Sequence, residues 1–468
     1  MLAKLHAKLG DFWWYSLMLF CACRAADLLN AFVGLWLVPK YVGPTELGAV
    51  QPLTHFANFL ALPITVFAMA FMKEMTTLAT RGEYGKMKSL MRGVFVGAAV
   101  FLTLALVISK FTLPLFLERI RVAEGSLGFL ILAAAFTGAV APIYQNALQA
   151  LKRFKTISLL HIIGAPIRFV VMLVAMPFRA LSGYFVGQAA TPAFTIATSV
   201  WSLRKELSVP AEPYWTRDTF RQMAKLLMGI AAYYVAGNLL NLTEQTVLRQ
   251  RLPDLDSAGY YMATRFSDIA VFVACTLTTV LFPFTASLAA EGKSTRRLVV
   301  KSSLAMLAIG ALLALAFAVA GRPTLALLPD GDKYAEYAWA IPCLVGVTTL
   351  AAIQTFHTNT EISAGRFAFL KWWVPLHLVF AAGLLLFTGY GYFTAYLPAS
   401  WCNFLAQHNF TSLAAMIVWF SVSAIAKTIA ALIELLKQDY QITYQDAESG
   451  KCIKTSGTSC HLSSDTDI

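Results

Sequence analysis

Eight ionisable side chains stand inside apolar stretches long enough to cross a bilayer: Arg24, Asp27, Arg168, Glu244, Arg265, Asp268, Glu361 and Lys427. A charge at that depth costs roughly 2.5–3.5 kcal/mol on insertion scales, so it points to a partner, a wet cavity or a ligand. Arg24 and Asp27 are three residues apart on one helix face, which Asn30 continues. Arg265 and Asp268 repeat the spacing. Each pair either ties its helix to a neighbour or presents a guanidinium to a cavity, with the carboxylate orienting it. Arg168 has no acidic residue within one turn and follows Pro166, where a helix loses a backbone hydrogen bond; His161 lies on the same face, seven residues earlier. Planar guanidinium forks suit phosphate. Arg24, Arg168 and Arg265 are therefore the candidates for holding an anionic group, and Asp27, Asp268 and Glu244 for ion or proton coupling.

Uncharged polar side chains form helical stripes of their own. Gln51, Thr54, His55 and Asn58 share one face, as do Gln354, His357, Thr358 and Glu361. Asn238, Asn241, Glu244 and Gln245 make a third stripe, and Tyr144, Gln145, Asn146 and Gln149 a cluster. In lipid such groups either line a wet path or glue helices together. Asn30, Gln51, His55, Asn58, Gln145, Asn146, Asn238, Asn241, Gln354 and His357 are the candidate contacts to sugar hydroxyls. Glu244 and Glu361 sit near span ends and are placed to reach the interface, and Lys427 to snorkel along its stem. Cys452, Cys460 and His461 fall in a polar tail and do not make a metal-ligand set.

The elements that must position these residues follow from composition. The chain has 468 residues, 58% hydrophobic and 13% charged, with a mean hydropathy of +0.63. A soluble chain of that length needs far more charge. Twelve apolar segments are read at about 14–38, 46–72, 89–110, 127–150, 156–177, 180–203, 221–247, 257–289, 298–320, 336–362, 367–389 and 411–436. Lys and Arg divide 24 to nine between alternate loops. The richer side is cytosolic and holds both termini. The net charge of +12 is thus an orientation signal, not a nucleic-acid surface. The uncharged loop 390–410 is rich in aromatic residues and reads as an interfacial belt.

Displaced by 211 residues, the chain aligns with itself: Lys40–Gly48 falls on Arg251–Gly259, and the basic hairpins at 81–83 and 292–293 coincide. The fold class expected is an all-α polytopic membrane protein. It has twelve transmembrane helices in two pseudo-symmetric six-helix bundles around a central cavity. The expected divisions are an N-terminal lobe 1–208, a cytosolic linker 209–220, a C-terminal lobe 221–436 and a polar, disordered tail 437–468.

The stretch Tyr15-Ser16 and then Leu37-Val38-Pro39-Lys40-Tyr41-Val42-Gly43-Pro44-Thr45-Glu46-Leu47-Gly48 resembles a motif of the Wzx-type polysaccharide flippases. Gln149-Ala150-Leu151-Lys152-Arg153-Phe154 is similar to theirs as well. These proteins belong to the multidrug/oligosaccharidyl-lipid/polysaccharide exporter superfamily. The resemblance covers roughly 10–436 by topology and implies alternating access between two lobes. Its implied cargo is a polyprenyl-pyrophosphate-linked oligosaccharide, an O-antigen, capsule or exopolysaccharide repeat unit. On that reading Arg24, Arg168 and Arg265 hold the pyrophosphate. The partners are the lipid-linked glycan, the bilayer, and a glycan polymerase or glycosyltransferases of the same pathway; the location is the cytoplasmic (inner) membrane. Drug/cation antiporters of the superfamily share the twelve-span plan and are the alternative. A polytopic enzyme of lipid-linked glycan synthesis is a further one, disfavoured because neither a nucleotide or zinc motif nor a large charged external loop is found. No cofactor is expected.

Overall fold

The computed structural model describes residues 18–122, 127–290, 296–363, 366–388, 400 and 412–448. The aromatic loop at 390–410 and the cysteines of the tail lie outside the described residues, apart from residue 400. Twelve long helices are present: α1 Met18–Tyr41, α2 Val50–Thr80, α3 Tyr84–Arg119, α4 Leu127–Ala150, α5 Phe154–Ala175, α6 Ala180–Ser202, α7 Arg217–Arg251, α8 Asp254–Ala290, α9 Arg296–Ala326, α10 Ala340–Ser363, α11 Leu370–Phe387 and α12 Leu413–Glu448. No strand occurs among the described residues. Eight of the helices are long and apolar enough to cross a membrane by length and composition. Two of the others, α6 and α7, carry polar stripes: Tyr184, Gln188, Thr191 and Thr195 on α6, and Asn238, Asn241, Glu244 and Gln245 on α7.

The fold is two six-helix bundles around a central cavity, and its packing repeats at a shift of six helices. α2 packs on α4 and α4 on α6; likewise α8 packs on α10 and α10 on α12. The bundles meet where α2 lies along α7, through Leu62, Val66 and Ile230. We call the end at which α1 begins and α12 finishes proximal, and the other end distal.

Helix ends follow local chemistry. Gly82, with φ +71°, closes α2 in the left-handed conformation that favours glycine. Arg121 and Lys152 close α3 and α4 with φ of 61° and 56°. In α1, Pro39 lacks the N–H that would bond four residues back. The ladder slips to i→i−5 just before it, giving a π-helical turn at Val33–Leu37 in which Val38 N–H bonds Val33 O.

Two boundaries differ from those read in the sequence: the end of α12, and the start of α7, which begins at Arg217 inside the expected linker 209–220. α12 continues to Glu448, past the expected start of the tail at 437, because good helix formers follow Leu436. The linker is strapped down: Glu212 N–H bonds Gly85 O at 3.1 Å and Lys88 Nζ bonds Val209 O at 2.9 Å. The Trp215 ring fills the space above Gly93, where an added Cβ would lie 2.4 Å from its Nε1.

Candidate functional site

One face of α1 is the spine of the site. Arg24, Asp27, Asn30 and Gly34 lie along it, spanning about 15 Å at 1.5 Å per residue, and α5 and α8 engage them. Arg24 pairs with Asp27 at 2.9 Å and donates to Phe272 O of α8 at 2.5 Å. Asp27 and His161 of α5 are within electrostatic reach of each other, and His161 Nε2 contacts Gln145 Nε2 of α4 at 3.2 Å. Asn30 Oδ1 accepts from Arg168 Nη1 of α5 at 3.3 Å. Gly34, inside the π-helical turn, accepts a hydrogen bond from the Tyr261 hydroxyl at 3.2 Å. The Arg265 side chain lies over Gly34; a Cβ there would sit 3.0 Å from Arg265 Cδ. Pro39 thus sets the turn whose glycine admits two α8 side chains.

Arg168 and Arg265 converge. Each is within electrostatic reach of the other, and of Tyr184 and Tyr261. Arg265 has a carboxylate, Asp268, at 3.1 Å. Arg168 has no ion-pair partner among the described residues, and its Nε makes no hydrogen bond. Two cations held together in a low-dielectric site with one carboxylate between them favour an anion. Arg24 stands lower on the same α1 face, with its charge matched by Asp27.

Two adjoining chambers open beside this cluster. One, of ≈ 250 Å³, is lined by Asn30, Gln145, His161, Arg168, Thr191 and Thr195, among others. The other, of ≈ 340 Å³, is lined by Thr54, Asn58, Thr65, Gln188, Tyr234 and Asn238, among others. Gly138 and Pro192 belong to both walls. The Tyr184 hydroxyl is held by Gln188 Nε2 at 2.5 Å and stands 3.4 Å from Thr54 Oγ1.

The residues singled out in the sequence therefore part into groups. Asn30, Gln145, Arg168, Asn58 and Asn238 line the chambers. His55 lies within reach of Arg265, and Gln51 is buried with neither amide atom hydrogen-bonded. Asn241 is exposed on α7. Asn146 ties α4 to α2 through Ala68 O at 2.7 Å. Gln354 ties α10 to α12 through Ala424 O and Thr428 Oγ1, both at 2.8 Å. His357 is buried in the same bundle, near Glu361. Glu361 is buried and held by Arg366 through two bonds, of 3.0 and 2.9 Å. Lys427 and Glu244, both half-buried, lie within electrostatic reach of each other in the C-terminal bundle, with His377 near Lys427.

Sequence reasoning missed two features. The α6 stripe Tyr184, Gln188, Thr191 and Thr195 has helical spacing, and counting Tyr and Thr as polar reveals it. The second is a distal latch built from residues read as loop charges. Arg249 of α7 is fully buried. It donates to Ile120 O at 3.1 Å and to Thr45 O, and pairs with Asp254 at 2.8 Å. Arg121 meets the same carboxylate at 3.1 Å, and bonds Arg249 O at 2.5 Å and Leu252 O at 2.7 Å. Gly48 lies against Ser257, whose Oγ would be 2.3 Å from a Cβ there. The two bundles are thus interlocked at their distal ends.

No protein-family model and no curated protein sequence matches the chain. Its fold matches solved transporters. The Lipid II flippase MurJ, in an inward closed conformation, superposes with a TM-score of 0.64 at 12% identity, over 92% of this chain and 91% of that one. A mutant of the Vibrio cholerae MATE transporter VcmN gives 0.60 at 17%, over 93% and 97%. A MOP-superfamily transporter from Pyrococcus furiosus, described as having a binding pocket of reverse polarity, gives 0.55 at 14%, over 92% and 94%. The fold defines a multi-pass helical membrane protein whose helical architecture matches that of these solved transporters.

Proposed function

We propose that this protein flips a polyprenyl-pyrophosphate-linked oligosaccharide across the cytoplasmic membrane. The single observation behind this reading is the convergence of Arg168 and Arg265 beside polar chambers, with Arg168 lacking an ion-pair partner among the described residues. A headgroup with two phosphates and several sugars cannot cross hydrocarbon unaided. Guanidinium forks take the phosphates, amides and hydroxyls from Asn30, Asn58, Gln145, Gln188 and Asn238 take the sugars, and the polyprenyl tail stays in lipid. The N-terminal lobe 1–208 and C-terminal lobe 221–436 rock about the linker 209–220, with both termini cytosolic and the latch closing the outer side. Asp27, beside His161, and Asp268 are the coupling carboxylates, with Glu244 a third in the C-terminal lobe.

Purified protein in proteoliposomes tests this against the multidrug alternative. The wild type is expected to move a fluorescent polyprenyl-pyrophosphate glycan, and Arg168→Ala to slow it about tenfold or more, as the loss of a charge-assisted contact of 1.5–3 kcal/mol requires. Export of a lipophilic cation with no movement of the glycan assigns the chain to the multidrug class and overturns the proposal.

A further inference from the structure

Two adjoining grooves lie on an apolar outer flank, away from both chambers. Near their distal ends α3 and α4 part to leave a groove of ≈ 850 Å³ lined by Leu106, Leu113, Leu117 and Leu132, with Lys110 and Arg121 among its polar residues. A second groove, of ≈ 560 Å³, runs between α4 and the α5–α6 turn, with Leu130, Phe178 and Val186 in its wall. Phe129, three-quarters exposed, belongs to both walls. Lys110 is exposed and has no ion-pair partner among the described residues. Glu118 is the one carboxylate in either lining.

We propose that these grooves hold one anionic glycerophospholipid of the distal leaflet, its phosphate on Lys110 and Arg121 and its two acyl chains on either side of Phe129. Paired grooves sharing one aromatic wall fit a two-chain lipid rather than a single isoprenoid tail. The lysine and the guanidinium outnumber the carboxylate, which selects an anionic headgroup over a zwitterionic one. The site has a consequence for the latch, because Arg121 already bridges to Asp254 at 3.1 Å and to two carbonyls of the α7–α8 turn. A phosphate on Arg121 competes with Asp254 and loosens the distal closure. That the distal leaflet is the outer one rests on the orientation proposed above; the site itself does not.

The full chain in nanodiscs of phosphatidylcholine with phosphatidylglycerol provides the test. Native mass spectrometry is expected to find one phosphatidylglycerol retained per chain. Lys110→Glu is expected to reduce retention about fivefold or more, in line with the attraction per basic residue at a membrane surface, and Lys110→Arg to preserve it. Leu106→Trp, which fills the groove from an exposed position, should displace the lipid with no change of charge. Equal retention in Lys110→Glu, equal retention of phosphatidylcholine, or displacement by an isoprenyl phosphate overturns the site. The link to the latch is read by maleimide labelling of Ser257→Cys, followed on its own peptide. Labelling should be faster with phosphatidylglycerol than without it, and Lys110→Glu should remove the difference. Retained lipid with unchanged labelling refutes the competition for Arg121.

Discussion

Arg168 and Arg265 illustrate what a guanidinium does when it is denied water. Arg168 lies against Asn30 of α1 and Tyr184 of α6, and Arg265 against Gly34 of α1 and Tyr261 one turn earlier on its own helix. Gly34 tests the tightness of that arrangement. A Cβ there would meet Arg265 Cδ at 3.0 Å, closer than ordinary van der Waals contact. Gly34→Val is expected to displace the guanidinium and slow glycan transport while protein levels and melting temperature stay close to wild type; transport assays beside thermal unfolding check this. The Arg-x-x-Asp pairs were legible in the sequence because i,i+3 neighbours must meet on a helix. Their partners on other helices were not. Nothing local announces that Arg24 reaches Phe272 O or that Lys427 faces Glu244, since those meetings depend on how helices far apart in the chain pack.

At the scale of elements, the linker is more than a tether. Tyr214 donates to Glu74 at 3.2 Å. Burial first, and then the Glu74 carboxylate, pushes its hydroxyl up to about 12 from an ordinary 10.0. The neutral hydroxyl is therefore favoured while the strap is docked, so docking is strongest below pH 10 and weakens as pH rises from 10 towards about 12. Limited proteolysis across 209–216 should show a step of increased cleavage in that window, and Tyr214→Phe should remove the step. The sequence placed 209–220 as a connecting segment from its basic charge and its position between two six-span halves. Its docking onto α3 was illegible because the cues, Gly85 just before a span and Gly93 within it, read as ordinary small residues.

For the whole molecule, the distal latch ties the two bundles together at one end. Arg249 is buried between the bundles and Asp254 supplies its one carboxylate among the described residues. Removing Asp254, itself 36% exposed, leaves the buried Arg249 guanidinium without its carboxylate, which is costly while the bundles stay packed. Because much of that cost is relieved when the bundles separate, Asp254→Ala is expected to shift the population towards a distally open form. Spin-label distances between residues 42 and 255 should lengthen in the variant. The sequence rule that fixes orientation counts Arg121 and Arg249 as loop charges, and so passes over the contacts that make them a latch. The twelve-helix plan and its internal repeat were legible throughout, because apolar length and turn residues are local properties.

The polar stripes of α6 and α7 have a consequence for how the protein is made. These two helices flank the linker and are consecutive in synthesis. Their polar stripes, which in part line the chambers, mean that neither partitions into lipid as readily as the segments around it. Membrane integration of the centre of the chain must then be cooperative, with α6 and α7 entering against helices already in place. Although the halves repeat each other, residues 1–208 expressed alone would leave the α7-facing side of the 340 Å³ chamber, with Thr54, Asn58 and Gln188, bare to acyl chains. Such a half is expected to be degraded or left incompletely inserted, as glycosylation mapping of its loops would read out, and co-expression of residues 209–468 should rescue it.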